Sequence, residues 1–216
     1  MSPTNAFDDT FPELSGLSAR ERILVTAHGL FYSQGVRATG IDSIIAASGV
    51  AKLTFYRHFS AKDVLVRAFL DYRHDHWMAW FVDALGRHGA RDGCGFVPLV
   101  KVVEEWFLQP AFRGCAFINV VSELGGSQPG VLAIAQRHKN DMLEVITALL
   151  PSIQGNQAIA SAAALAVDGA IVRAQMEAQD SKTLESNMKG QKKSALDGLR
   201  QVLMALECMS GRRPPA

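Results

Sequence analysis

The sequence is poor in the residues that build covalent or metal chemistry. Its three cysteines, Cys94, Cys115 and Cys208, are odd in number and far apart. No Cys-x-x-Cys or Cys/His spacing accompanies them, so the pattern points to neither a disulfide framework nor a zinc site. Unpaired thiols of this kind suit a reducing cytoplasm, which is the expected location. No run of 18 or more uninterrupted apolar residues occurs, so no membrane span is expected. The opening stretch MSPTNAFDDTFPEL carries acids and prolines without an apolar run, unlike a signal peptide. Charge of one sign is also missing: the formal net charge is +1, so any basic surface must be local. There is no nucleophile motif, phosphate loop, Glu-x-x-His pairing or paired carboxylate in an apolar setting, and neither catalysis nor a cofactor is expected.

What is present is an ordinary globular balance. Of the 216 residues, 48% are apolar and 20% charged, enough for one or two domains with a substantial core. The patterning is helical throughout, with no convincing strand, internal repeat or low-complexity block. Residues 1–17 lack periodicity and read as a flexible arm. Ser18 with Glu21 forms a capping box, and Ile23, Ala27, Leu30 and Phe31 recur on one face of the helix that follows, which Gly35 ends. Thr39 is placed to cap a short helix over 40–47, Gly49 to break it, and a second short helix to run over 51–57. Ser60 then caps a long helix from Ala61 to about Gly86. Further helices are expected over 96–109, 115–125, 129–150, 157–178 and 194–209, the last starting as early as Lys182, and residues 210–216 as a disordered tail. Prolines 110, 129 and 151 punctuate this series.

Three short helices, the second and third flanking a glycine turn, make a helix-turn-helix unit. Ile41 and Ile44 face its neighbours, Val50 plugs the angle, and Phe55 and Phe59, spaced i, i+4, turn inward. Lys52, Thr54, Tyr56 and Arg57 are left on the outward surface of a helix able to enter a major groove. From Ser18 to Lys62 the bases Arg20, Arg22, Arg37, Lys52, Arg57 and Lys62 face two acids, Glu21 and Asp42. The segment therefore carries a formal +4 on a chain of +1.

At these residues the chain resembles a known family. ILVTAHGLFYSQGV, TGIDSIIAASGV and AKLTFYRHFSAKDVL, from about Arg20 to Phe69, are similar to the DNA-binding domain of TetR-family transcriptional regulators. The resemblance implies an all-α protein: an N-terminal helix-turn-helix domain over 18–62 and a helical ligand-binding and dimerisation domain over 63–209. It implies contacts to the DNA backbone from Thr39, Tyr56, His58 and Lys62. Lys52, Leu53 and Thr54 become candidates for base edges, a lysine reading guanine and a threonine methyl meeting the thymine methyl. Ile45 departs from the family, whose members often carry alanine there.

One reading helix makes few base contacts, so a homodimer on two half-sites about 34–36 Å apart is expected. The last two helices are the candidate interface, through Ala164, Asp168 and Ile171 on the first and the stripe Leu196, Leu199, Leu203 and Leu206 on the second. In the family these helices form a four-helix bundle with their partners. The resemblance further implies a small-molecule effector acting on an operator-bound repressor. Candidate effector contacts are the aromatics Trp77, Trp80, Phe81, Trp106, Phe107 and Phe117, with Phe112 near them, and the polar residues Asn119, Glu123 and His138. Two alternatives stand beside this reading. Cys115, near a helix start and beside Arg113, is a candidate redox or electrophile sensor. An enzyme in a helical bundle would work through His138 or Cys115.

Overall fold

The structure is a computed structural model that describes residues 14–153, 155–180 and 188–210, without the side chains of 178–180 and 188–193. The proposed arm and tail therefore lie mostly outside the described residues, as does the segment after Lys182. The described residues form helices and no strand: α1 (Ala19–Gln34), α2 (Ile41–Ser48), α3 (Lys52–His58), α4 (Lys62–Arg87), α5 (Val97–Phe107), α6 (Ala116–Leu124), α7 (Pro129–Ala148), α8 (Asn156–Asp180) and α9 (Met188–Met209). The all-α architecture expected from the sequence is the one observed.

The chain divides into two compact units that cut across the helix order. The first takes in the described residues up to Trp77 and Cys115–His138; the second holds Met78–Gly114 and the described residues from Lys139 onward. Long helices α4 and α7 thus contribute residues to both.

In the first unit the local signals act as read. Ser18 caps α1 by accepting from the Glu21 amide at 3.3 Å, and Glu21 accepts from the Ser18 amide at 2.9 Å. Gly35 ends the helix at φ +88°, and Gly49 ends α2 in the left-handed region at φ +65°. Thr39 behaves differently from its expected role as the cap of α2. Gly40 occupies the N-cap position with no side-chain bond. The Thr39 hydroxyl instead donates to α1, with the Gly35 carbonyl at 2.8 Å and that of Leu30 at 3.3 Å. It ties the corner between the helices rather than the start of the second.

Ile23, Ala27, Phe31, Ile44, Phe55, Phe59, Leu65, Phe69 and Leu70 form the core of this unit. Phe31 meets Phe69 edge-on at 5.5 Å, joining α1 to α4. One charge lies inside. Arg73 is 2% exposed; its guanidinium covers the Tyr32 ring at 4.2 Å and donates to His28 Nε2 at 3.1 Å. Arginine can only donate, so His28 must be neutral with its own proton on Nδ1. Burial first, then the Arg73 charge and His76, push the His28 pKa down to about 3.

In the second unit α8 packs on α9, and α5 on both. The loop into α5 is pinned by amides of Gly93 and Gly95 donating to the carbonyls of Ala148 and Leu149. Glu207 of α9 accepts from the Phe96 amide at the N-terminus of α5, 3.1 Å away, where a carboxylate meets the positive end of the helix. Arg87 holds Glu105 through two bonds of 2.8 and 3.1 Å.

The buried imidazole gives a testable stability profile. Unfolded, His28 takes up a proton near pH 6.5; folded, it does so only near pH 3. Its contribution is complete above pH 6.5 and is lost as pH falls toward 3, at up to about 1.4 kcal/mol per pH unit. His28→Gln keeps an acceptor for Arg73 without a titrating group. Urea unfolding from pH 7 to pH 4 should show a shallower fall in stability for the variant; an unchanged slope would refute this role of His28.

Candidate nucleic-acid interface

The seven-residue α3 is too short to persist by itself, so its packing decides its orientation. Phe55 and Phe59 are buried, with Phe59 under the Arg20 guanidinium at 5.3 Å. The opposite face carries Lys52, Leu53, Tyr56, Arg57 and His58, all exposed, while Thr54 and Lys62 are half-buried. Leu53 is 73% exposed, an apolar side chain that the fold gives no cover. The face combines cationic, aromatic and apolar contacts suited to phosphates and base edges. Five of the seven expected DNA contacts thus lie on α3, and Lys62 begins α4. Thr39 does not join them: it is 1% exposed and its hydroxyl is spent on α1.

Asp42 was not among the expected contacts. It is exposed on the first turn of α2 and its Oδ1 lies 3.4 Å from Lys52 Nζ. Ten residues separate the two, and no helical spacing relates them; only the angle between α2 and α3 brings them together.

The expected effector contacts sort by unit. In the first, His138 stacks on Phe117 with centroids 3.7 Å apart and 14° between planes, and Trp77 meets it edge-on at 5.2 Å. His74, absent from the expected set, joins them with its Nδ1 3.2 Å from His138 Nδ1. His74 lies three residues before Trp77 on α4, a spacing that pairs them on one face. In the second unit Trp106, Phe107 and Phe112 cluster with centroids 5.1–6.2 Å apart, and Trp80 and Phe81 are buried.

Glu123 has another task. Its carboxylate accepts from the Val36 amide at 3.2 Å and the Arg37 amide at 2.7 Å, and its carbonyl accepts from Arg37 Nε at 2.8 Å. It clasps the α1–α2 corner from the end of α6. Gly35 is constrained twice here, because a Cβ would strain its positive φ and would press the carboxylate at 3.1 Å. Asn119, on α6, is half-buried.

The expected dimer contacts are also redistributed. Ile171, Leu196, Leu199 and Leu203 are buried within the second unit, where α9 packs on α8 and α5, so most of the leucine stripe is the subunit's own core. Asp168 pairs with Lys139 at 2.6 Å inside the same unit. Ala164 and Leu206 are half-buried. Among the described side chains, the large exposed apolar residues of these helices are Leu165 and Met176 on α8 and Val202, Met204 and Met209 on α9. Alternation of leucines could not separate the two faces, because both are apolar.

Cys115 occupies the N-cap position of α6 and is 4% exposed, packed as a small apolar group rather than presented to an oxidant. All three cysteines are free thiols. Among the described residues no three metal-ligating side chains gather.

A family model for the tetR family of bacterial regulatory proteins matches residues 23–69, from α1 into α4. No curated protein matches the chain. Among solved structures, a TetR-family transcriptional regulator from Streptomyces coelicolor is 31% identical over 88% of this chain and 96% of its own, with a TM-score of 0.71. A TetR-type regulator from Streptomyces avermitilis is 25% identical over 83% of this chain and 98% of its own, with a TM-score of 0.63. A TetR transcriptional regulator from Chloroflexus aurantiacus shares the fold at 19% identity and a TM-score of 0.66, over 90% of this chain and 95% of its own. The chain belongs to the TetR family of helix-turn-helix, DNA-binding transcriptional regulators.

Proposed function

We propose that this regulator is a cytoplasmic homodimeric repressor that leaves its operator when a small molecule binds its helical C-terminal region. The observation that carries the DNA-binding part is the division of α3, with Phe55 and Phe59 inside and Lys52, Leu53, Tyr56, Arg57 and His58 outside. Lys52, Leu53 and Thr54 at the start of α3 face base edges; Tyr56, His58 and Lys62 hold phosphates. Thr39 acts from within, fixing the corner that sets the angle of α2.

Dimerisation is supported by apolar surface. Over Asn156–Glu177 α8 is, by length and composition, apolar enough to cross a membrane. Its exposed residues Leu165 and Met176, with Val202, Met204 and Met209 of α9, give a second copy a surface to cover. Response to an effector is supported by the first unit, where the cluster of His74, Trp77, Phe117 and His138 draws on α4, α6 and α7. α6 carries Phe117 at one end and Glu123 at the other, so a ligand that displaced Phe117 would bear on the clasp at the α1–α2 corner. Such a ligand must favour one arrangement over the other, since equal affinity would shift nothing.

Three outcomes are expected. Lys52→Ala should weaken binding to the operator by about 1–3 kcal/mol in a gel-shift titration while leaving the thermal unfolding midpoint in place; full affinity would remove Lys52 from the reading set. Glu123→Ala should speed hydrogen exchange at the Val36 and Arg37 amides and lower operator affinity several-fold. Faster exchange with DNA binding intact would make the clasp a local brace only. Leu165→Glu combined with Met204→Glu should yield monomers in sedimentation velocity at concentrations where the parent protein is dimeric; persistent dimers would place the interface elsewhere.

A further inference from the structure

Among the described residues of the first unit, the large apolar side chains left exposed are Leu53, Tyr56 and Leu132. Two of them lie on α3, three residues apart and so on one face of the helix. Leu53 is the more open, at 73% exposure against 40% for Tyr56, whose ring meets buried Phe55 edge-on at 5.3 Å. Leu53 is no part of the anchoring of α3, which Phe55 and Phe59 provide from the opposite side. Its setting is polar: Lys52 precedes it, Thr54 follows and Arg57 stands one turn on. The centre of a protein–protein seam is depleted of charge, so this setting argues for nucleic acid as the cover of Leu53. A duplex offers oxygens on its phosphates and sugars, and donors and acceptors on its base edges, and leucine can bond to none of them. The apolar group that the major groove displays is the C5-methyl of thymine.

We propose that Leu53 is a specificity-determining residue that reads a thymine methyl group in each operator half-site. The inference rests on α3 being the reading helix and names what its apolar position recognises. Contact with the methyl removes apolar surface of both groups from water. Opposite any other base the leucine covers a donor or acceptor and displaces its water without replacing the hydrogen bond. Discrimination therefore has two sources, a gain at thymine and a loss elsewhere. Thr54 also carries a methyl, but it is half-buried where Leu53 is open. Leucine bears no charge, so its contribution is absent from phosphate-driven binding to random sequence and from the salt dependence, both of which belong to the cations of the same face.

The test uses the full-length protein, a duplex that it selects from a random-sequence pool, and an unselected duplex of the same length. Each thymine of one selected half-site is replaced in turn by uracil, which removes the methyl and keeps the hydrogen-bonding edge. Affinities are measured by fluorescence anisotropy across a salt series for the parent, Leu53→Ala, Thr54→Ser and Lys52→Ala. Leu53 is exposed, so Leu53→Ala leaves the core intact, and an unchanged thermal unfolding midpoint checks this. For the parent, uracil at one thymine should weaken binding about fourfold, and for Leu53→Ala the same replacement should change it less than about 1.5-fold. Leu53→Ala should itself weaken binding to the selected duplex at least about fourfold while leaving the unselected duplex and the salt slope as in the parent. The proposal is overturned if no thymine methyl matters to the parent, or if its loss costs Leu53→Ala as much as the parent. In the second case, a cost abolished by Thr54→Ser would move the methyl contact to Thr54. If Lys52→Ala weakens binding to the selected duplex and Leu53→Ala does not, this inference alone falls. If neither does, the assignment of α3 as the reading helix falls first and this inference with it.

Discussion

Phe55 and Phe59 are the constraint on which the DNA-binding face depends. A helix of seven residues has too few internal hydrogen bonds to stand in water. It exists here because two phenylalanines, one turn apart, each bury a side chain worth about 1.5–3 kcal/mol, where α3 packs on α1 and α2. That anchoring removes rotational freedom about the helix axis. Once both rings point inward, Lys52, Leu53, Tyr56 and Arg57 have no other direction than outward. The chemistry offered to DNA follows from the packing of residues that never touch it. Gly49 serves the same end, since its left-handed turn fixes the angle at which α3 leaves α2.

This part of the molecule was legible in the sequence because its signals are local. A capping box spans four residues, a glycine turn one, and an i, i+4 phenylalanine pair five. Each states its own structure wherever it stands, and together they carry the family resemblance as well. The helices beyond were legible as helices for the same reason, with ends displaced by one or two residues where α5 and α7 stop short of Pro110 and Pro151.

The polar joints were not legible. Thr39 looked like a cap because threonine before a helix commonly is one. Its hydroxyl went to the Gly35 carbonyl because the corner between α1 and α2 buried it there, with α1's terminal carbonyls nearer than α2's amides. Glu123 looked like a polar group in an aromatic stretch. Its partners, Val36 and Arg37, are more than eighty residues away. Arg73 is an ordinary charged position on an amphipathic helix until Tyr32 and His28 are brought against it. In each case the deciding partner belongs to another helix, and spacing along the chain does not identify it.

The apolar helices α8 and α9 show the opposite difficulty, an excess of one signal. When most positions are apolar, periodicity loses its power to assign a face, because every face satisfies it. The leucines of α9 repeat three and four apart, a pattern that suits a dimer seam, yet Leu196, Leu199 and Leu203 are buried within the second unit. The large apolar residues left exposed among the described side chains are instead methionines, a valine and a single α8 leucine, with no regular spacing. Side-chain shape gives a physical reason for that division. Branched leucines interdigitate well in a fixed core, whereas flexible, polarizable methionines adapt to a facing surface assembled after the subunit has folded. The same reasoning separates the two halves of the molecule: where function depends on one rigid face, as in α3, sequence spacing reveals it, and where it depends on adaptable contact, the residue types carry more information than their period.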